Sequence, residues 1–417
     1  MDVKTPQRFG ALREKSYRLF LAGYGFSYTL YWVTLLAIGW WVWETTQSAS
    51  WVGFIYFCDL FPAVLVTPWA SAIADRSDRF KLLKIVLWIQ VFSGLALAAV
   101  AAMGHLTPYI LAAFVFLEGA LIGFSQPAFF GMINRLVSKP NLSAAVALNT
   151  SVSQASYTLG PLIAAFFFSF GLWIAPLAFA ANAIGTLVYL FCLTKIKLQP
   201  VPLSNKEPST NLMGDIIEGI IALWASKLAF RATVLILAVA ILQRPLISLM
   251  PGINSYFDLF SASNYTFLTA SFMVGSIVAG LVLANRNNEH GLEAITLKVI
   301  FVLMGLYFSF FLLMNVLGGF WFVAIGMLFA IGFTSAFVWS GNNIILQNKI
   351  PEHLRSRVLG NNFMLTRAIG AIAVIISGFL VDVYDFPTAM IALVGIVLVA
   401  LFVFRSLKST STTQSNR

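Results

Sequence analysis

The chain has 417 residues, 59% of them hydrophobic and 10% charged, with a mean hydropathy of +0.86 and a formal net charge of +10. A soluble domain is nearer half apolar and about a quarter charged, so the composition excludes a water-soluble globular enzyme and marks a polytopic membrane protein. Cys58 and Cys192 are the two cysteines and both sit in apolar runs, which argues against a disulfide framework or a cysteine metal site. The start, MDVKTPQRFGALREKSYR, is polar and basic. The apolar run after it is too long for a signal-peptide core and is expected to stay as the first membrane helix.

About twelve spans follow, each near the ~20 residues a bilayer requires. In chain order they are Tyr17–Trp43, Ser50–Ala74, Leu82–Met103, Pro108–Asn134, Leu142–Phe170 and Leu172–Leu193. After a break come Arg231–Phe257, Tyr265–Ala284, Ile295–Val316, Gly319–Leu346, Arg357–Asp382 and Pro387–Phe404. With the N-terminus placed in the cytoplasm, every Lys and Arg falls on the inner side except Arg244 and Arg367, which lie inside spans. Glu44, Asp258 and Asp385 sit on the outer side. This is the positive-inside bias, and it accounts for the positive charge without nucleic acid. Trp40, Trp41, Trp43 and Trp51 gather where an outer aromatic belt is expected.

The break, Lys195–Thr210, is polar and contains Pro. Beyond it Met213, Ile216, Ile217, Ile220, Ile221, Trp224 and Leu228 recur at helical spacing, with Asp215, Glu218 and Lys227 off that face. The pattern predicts an amphipathic helix on the inner membrane surface. A linker with six spans on each side suggests duplication. Asn134–Asn149 can be laid on Asn348–Asn361 with one two-residue gap, each leading into the fifth span of its half.

Between the second and third spans lies Ser71-Ala-Ile-Ala-Asp75-Arg76-Ser-Asp78-Arg79-Phe-Lys81, a concentration of charge that cannot be left in hydrocarbon. This stretch resembles the loop between helices 2 and 3 of major facilitator transporters, and its wording is most similar to the branch of enterobactin-type siderophore exporters and macrolide-efflux pumps. Arg244-Pro-Leu-Ile-Ser-Leu-Met-Pro251 and Pro351-Glu-His-Leu-Arg-Ser-Arg357-Val resemble two further stretches of that branch, the second with Ser356 where Gly is usual. Ala147, Ser156, Gly160 and Pro161 keep the spacing of its span-5 antiporter motif, with small residues in place of the first two glycines. The counterpart of the charged loop, Gly280–Arg286, lacks the Asp. The resemblance implies an all-α polytopic membrane protein with 12 transmembrane helices in two pseudo-symmetric six-helix bundles, residues 1–194 and 229–417, joined by a cytoplasmic linker and amphipathic helix, 195–228.

No Gly-x4-Gly-Lys-Ser/Thr phosphate loop occurs, and His105, His290 and His353 fall in loops away from any metal-ligand spacing. The informative residues are the charges at membrane depth, which cost at least about 2.5–3.5 kcal/mol at the bilayer centre and therefore face a cavity or a partner. They are Asp59, Glu118, Arg244 and Arg367. Pairing of Asp59 with Arg367 and of Glu118 with Arg244, broken by protonation, would couple a proton to rocking of the halves. The competing reading is a permanent set of ion pairs that fixes helix register. Relatives often carry Arg at the Glu118 position, so the sign is reversed here.

Polar and aromatic stripes recur on the same helices and suit an amphiphilic solute, although Ser and Asn also join helices. The substrate-binding candidates are Tyr24, Tyr28, Tyr31, Ser125, Asn149, Gln154, Ser248, Trp339 and Asn342. The expected cytoplasmic gate comprises Asp75, Arg76, Arg79, Gly160 and Pro161, with Asp75 facing the positive end of the eleventh span. The expectation is a secondary transporter of the bacterial inner (plasma) membrane with both termini cytoplasmic. It uses no cofactor beyond the proton gradient, no metal and no nucleic acid, works as a monomer, and exports a siderophore or similar small molecule. Macrolide or multidrug efflux and import of an iron-loaded siderophore are the alternatives within transport. A polytopic membrane enzyme is disfavoured.

Overall fold

With no water in hydrocarbon to satisfy backbone N–H and C=O groups, long apolar runs must close their own hydrogen bonds as helices. The computed structural model describes residues 10–138, 141–169, 175–196, 214, 221, 226–257, 262–285, 291–317, 320–350 and 352–414, and these are helical with no strand among them. A 3-10 turn, Gly10–Arg13, leads into α1 (Lys15–Thr46), α2 (Ala49–Arg76), α3 (Arg79–Ala102), α4 (Pro108–Leu136), α5 (Leu142–Ser169) and α6 (Ala175–Thr194). Then come α7 (Lys227–Ser248), α8 (Met250–Tyr256), α9 (Ala262–Ala284), α10 (Leu292–Leu317), α11 (Trp321–Lys349), α12 (Glu352–Val383) and α13 (Phe386–Gln414). The amphipathic helix expected over 211–228 lies almost wholly outside the described residues.

Ten of these helices are long and apolar enough to cross a membrane, and α13 adds a shorter apolar stretch, Phe386–Phe402. The helix α5, interrupted by Asn149, Thr150, Ser151, Ser153, Gln154 and Ser156, is not among the ten. The expected seventh span is two helices. Pro251 has no N–H to continue the ladder, so the chain turns at Leu249, whose N–H bonds to Pro245 O at 2.8 Å, and α8 starts afresh.

The helix ends have local causes. Asp78 accepts from Phe80 N at 2.9 Å and Lys81 N at 3.4 Å, so it is the N-cap of α3. The charged segment expected as a loop is therefore mostly helix: α2 runs through Asp75 to Arg76, leaving Ser77 and Asp78 as the turn. Likewise α12 begins at Glu352, which puts Arg355 and Arg357 in its first turns. Thr107 caps α4 ahead of Pro108, and Ser226 caps α7.

Two compact units result. The first is Met1–Thr46 with Cys58–Leu212; the second is Gln47–Phe57 with Met213–Arg417. In the first, α1 packs on α5 and α6, and α3 on α4 and α6. Tyr17, Phe20, Met132, Leu190 and Leu193 form its buried core, and Tyr17 donates to Ala145 O at 2.6 Å. In the second, α11 packs on α7, α9 and α10, and α12 on α7. The α9–α11 crossing is close: a Cβ at Gly275 would overlap the Phe329 carbonyl, and one at Gly332 the Phe272 carbonyl. Apolar lipid gives helices no hydrophobic reason to associate, so such small-residue contacts and the Ser276 hydroxyl, which donates to Gly332 O at 3.1 Å, hold the crossing.

Also in the second unit, Asp382 near the end of α12 receives the start of α2. It accepts from Ser48 Oγ at 2.6 Å, Ala49 N at 2.8 Å and Ser50 N at 3.0 Å. The carboxylate thus satisfies orphan N–H groups of a helix distant in sequence.

Candidate functional site

The site begins with a close approach of α2 and α4 in the first unit. A Cβ at Gly119 would stand 2.6 Å from Asp59 O and 2.8 Å from Cys58 O. Only hydrogen on the Gly119 Cα lets the two backbones approach this far, and the adjacent residue, Glu118, is thereby brought beside Asp59.

Each acid is met differently. Asp59 is 4% exposed and accepts from the Tyr31 hydroxyl at 3.0 Å on Oδ1 and 3.3 Å on Oδ2. Glu118 Oε2 accepts from Gln90 Nε2 at 3.1 Å, and Oε1 is buried. Ser93, one helical turn from Gln90 on α3, approaches the same carboxyl and is buried beside it. Both acids, Ser93, Tyr31, Thr34 and Asn182 line one cavity of about 40 Å³ walled by Leu35, Ile38, Leu97, Phe114, Val115 and Phe179.

The bases expected with these acids lie in the second unit. The Arg244 stem packs on α12, where a Cβ at Gly370 would come 3.1 Å from Arg244 Cγ. Arg367 lies over the Phe363 ring at 5.4 Å, and its Nη1 is buried without a hydrogen-bond partner.

The tyrosine stripe is a connected stack, Tyr24 on Tyr28 at 5.3 Å between centroids and Tyr28 on Tyr31 at 5.8 Å. Tyr24 also packs on Phe129 at 4.6 Å and shares a 3.0 Å hydrogen bond with Ser153. Asn149 and Asn342 are both buried with the side-chain oxygen unpartnered, and Asn342 Nδ2 donates to Val338 O at 2.8 Å. Ser248 is buried, Gln154 is exposed, Trp339 is half-buried, and Ser125 donates to Ile122 O at 3.0 Å. Among the gate candidates, Gly160 is seated on Trp32 and Pro161 is buried beside it. The side chains of Asp75 and Arg76 lie outside the described residues; Arg79 is half-buried.

Sequence reasoning missed Gln90, Ser93, Thr34 and Asn182 as companions of the acids. A signal existed for two of them: Gln90 and Ser93 are polar, one turn apart, in the otherwise apolar part of α3 beyond Lys84.

A helical chain with many apolar membrane-length helices and a polar, acid-bearing cavity inside one helical unit is built as a polytopic membrane protein of the transporter kind. The model of the Major Facilitator Superfamily matches residues 20–360 and 233–417, and the chain belongs to that family. It is 25% identical over 392 residues to the Staphyloferrin A transporter of Staphylococcus aureus (strain NCTC 8325 / PS 47), covering 90% of this chain and 93% of the relative. It is 22% identical over 339 residues to Macrolide efflux protein A of Streptococcus pyogenes, covering 81% of each. Among solved structures, the bacterial homolog of the human lysosomal transporter Spinster superposes with a TM-score of 0.71 at 13% identity, over 92% of this chain and 95% of that one. The nucleoside transporter NupG superposes at 0.68 and 15% identity, over 94% and 98%. At these identities the solved structures carry the fold alone.

Proposed function

We propose that this chain is a proton-coupled exporter of a siderophore or similar amphiphilic small molecule in the bacterial plasma membrane, with both termini cytoplasmic. The orientation is supported by the placement of Lys and Arg on one side of the expected spans. The substrate class is supported by similarity to the Staphyloferrin A transporter over nearly the whole chain. Macrolide efflux is the second reading, favoured by similarity to Macrolide efflux protein A.

One observation carries the coupling: Asp59 and Glu118, acids from two different helices, face one buried cavity. Two ionised carboxylates in such a space repel each other and lack solvation, so a proton on one of them relieves the conflict. Loading and release of that proton then differ in free energy between access states, which is the requirement for coupling. Arg244 and Arg367 are the proposed counter-charges, and Asp75, Arg76, Arg79, Gly160 and Pro161 the proposed inner gate.

The test is uptake into everted membrane vesicles containing the protein, comparing a polycarboxylate siderophore, a catecholate siderophore and a macrolide under an imposed proton gradient. Accumulation of a siderophore that collapses with a protonophore is expected. Macrolide accumulation alone selects the second reading, and uptake insensitive to the gradient contradicts proton coupling.

A further inference from the structure

Carboxyl groups at membrane depth can carry a proton; the two cations at membrane depth cannot. A guanidinium keeps its charge throughout the physiological pH range, so Arg244 and Arg367 serve some other purpose. Both lie inside membrane-length apolar segments, Leu228–Ser248 and Val358–Val383, where an unmatched charge is costly. Among the described residues an ion pair joins Arg231 to Glu293, and neither Arg244 nor Arg367 is in one. Both are half-buried. An arginine open on one side at that depth faces either lipid or a wet passage, and lipid is much the costlier.

Helix packing inside the second unit brings the two side chains together. The helices α7 and α12 pack on each other, and a Cβ at Gly370 would stand 3.1 Å from Arg244 Cγ and 3.8 Å from its Cδ. The Arg244 stem therefore runs across α12 at Gly370. Arg367 is three residues earlier on α12, a spacing that puts side chains on one face with Cβ atoms about 5–6 Å apart. Its own chain turns back toward the start of the helix, as long helical side chains do. The guanidinium carbon then lies 5.4 Å over the Phe363 ring, with Nη1 buried and unbonded. The ring takes the face of the guanidinium and leaves the N–H groups at its edge for a ligand. Ser248, one turn beyond Arg244 on the same face of α7, adds a buried hydroxyl.

Two like charges on adjoining turns repel each other, and each presents a planar fork of donors. An anion between them removes the repulsion, and a carboxylate matches the fork with two parallel hydrogen bonds. A cationic amine would meet only repulsion there, and a neutral catechol would leave both charges unmatched.

We propose that Arg244 and Arg367 form a carboxylate-binding subsite for the transported molecule, which makes the substrate a polycarboxylate in preference to a catecholate or to a macrolide bearing an amine. The subsite rests on the reading of this chain as a small-molecule exporter. A carboxylate bound there takes the place of the acids proposed above as partners of these cations.

The test is calorimetric binding to purified full-length protein in detergent, at fixed pH and with no gradient. The probes are a metal-free polycarboxylate siderophore, its methyl ester, a catecholate siderophore and a macrolide. The free acid should bind at least about tenfold more tightly than its ester, the scale of a charge-assisted hydrogen bond. Arg244→Gln and Arg367→Gln should each weaken the free acid about tenfold and leave the ester unchanged. Arg367→Lys, which keeps the charge and loses the fork, should fall between. Equal binding of acid and ester overturns the subsite. So does a loss that is the same for both, because a purely structural role acts on the two probes alike. If the glutamine variants do not fold, Arg244→Lys and Arg367→Lys decide by the same ratio of acid to ester. Carboxylate-selective binding without gradient-driven transport would sink the exporter reading alone. Gradient-driven transport of the catecholate or the macrolide, with no binding of the polycarboxylate, would sink the subsite alone.

Discussion

Gln90 on α3 donates to Glu118 Oε2 on α4 at 3.1 Å, with Ser93 one turn further along α3 beside the same carboxyl. The bond fixes which oxygen faces the cavity. Gln90→Leu removes one donor from a buried carboxyl, at a cost of about 1–3 kcal/mol. The thermal unfolding temperature in detergent should fall accordingly, and Gln90→Glu, which adds a third acid beside Asp59 and Glu118, should lower it further.

Gly119 sets the distance between the acids. Gly119→Val places side-chain carbons against the Asp59 and Cys58 carbonyls and forces α4 away from α2. Overpacking of this kind costs typically about 1–3 kcal/mol. The variant should insert in the membrane and lose most of its transport, measured at matched protein level. Transport equal to the parent would show that the α2–α4 spacing is not what places the acids.

Asp382 caps α2 through Ser48, Ala49 and Ser50. Asp382→Ala removes all three bonds and should destabilise by about 0.5–2 kcal/mol, the range of an N-cap loss. Asp382→Asn retains an acceptor and should recover part of that. Ser48→Ala should cost less than Asp382→Ala, because the two backbone donors keep their acceptor.

Arg231 on α7 and Glu293 on α10 form an ion pair whose side chains are 24% and 41% exposed. Pairs this open contribute about 0–1 kcal/mol. Glu293→Gln is therefore expected to change unfolding by less than about 1 kcal/mol and to leave transport unaltered, which makes it a control for the variants above.

The sequence made the fold legible because lipid imposes a strong rule: apolar length reports a span. The expected spans match α1–α6 and α9–α13 within a few residues at most ends, though α13 runs on to Gln414. Pro251 divided the seventh, since hydropathy does not record a missing N–H. Caps were missed for a similar reason: Asp78 reads as one more loop charge until its bonds to Phe80 and Lys81 are seen. Within the site, Asp59 and Glu118 stood out because charge is rare in apolar runs. Gln90, Ser93 and Asn182 did not, because isolated polar residues are common in membrane helices and only the packing of α3 and α6 shows which of them face the acids. The reach of Asp382 to Ser48 spans most of the chain in sequence, and no periodicity encodes it.

The central claim is that Asp59 and Glu118 carry the coupling ion. Its most direct test is proton movement in proteoliposomes with a trapped pH indicator, recorded as a transported siderophore is added to the parent, Asp59→Asn and Glu118→Gln proteins. The account predicts substrate-driven proton flux in the parent and at least a tenfold loss in Glu118→Gln with substrate binding retained. Undiminished flux in both variants would contradict it.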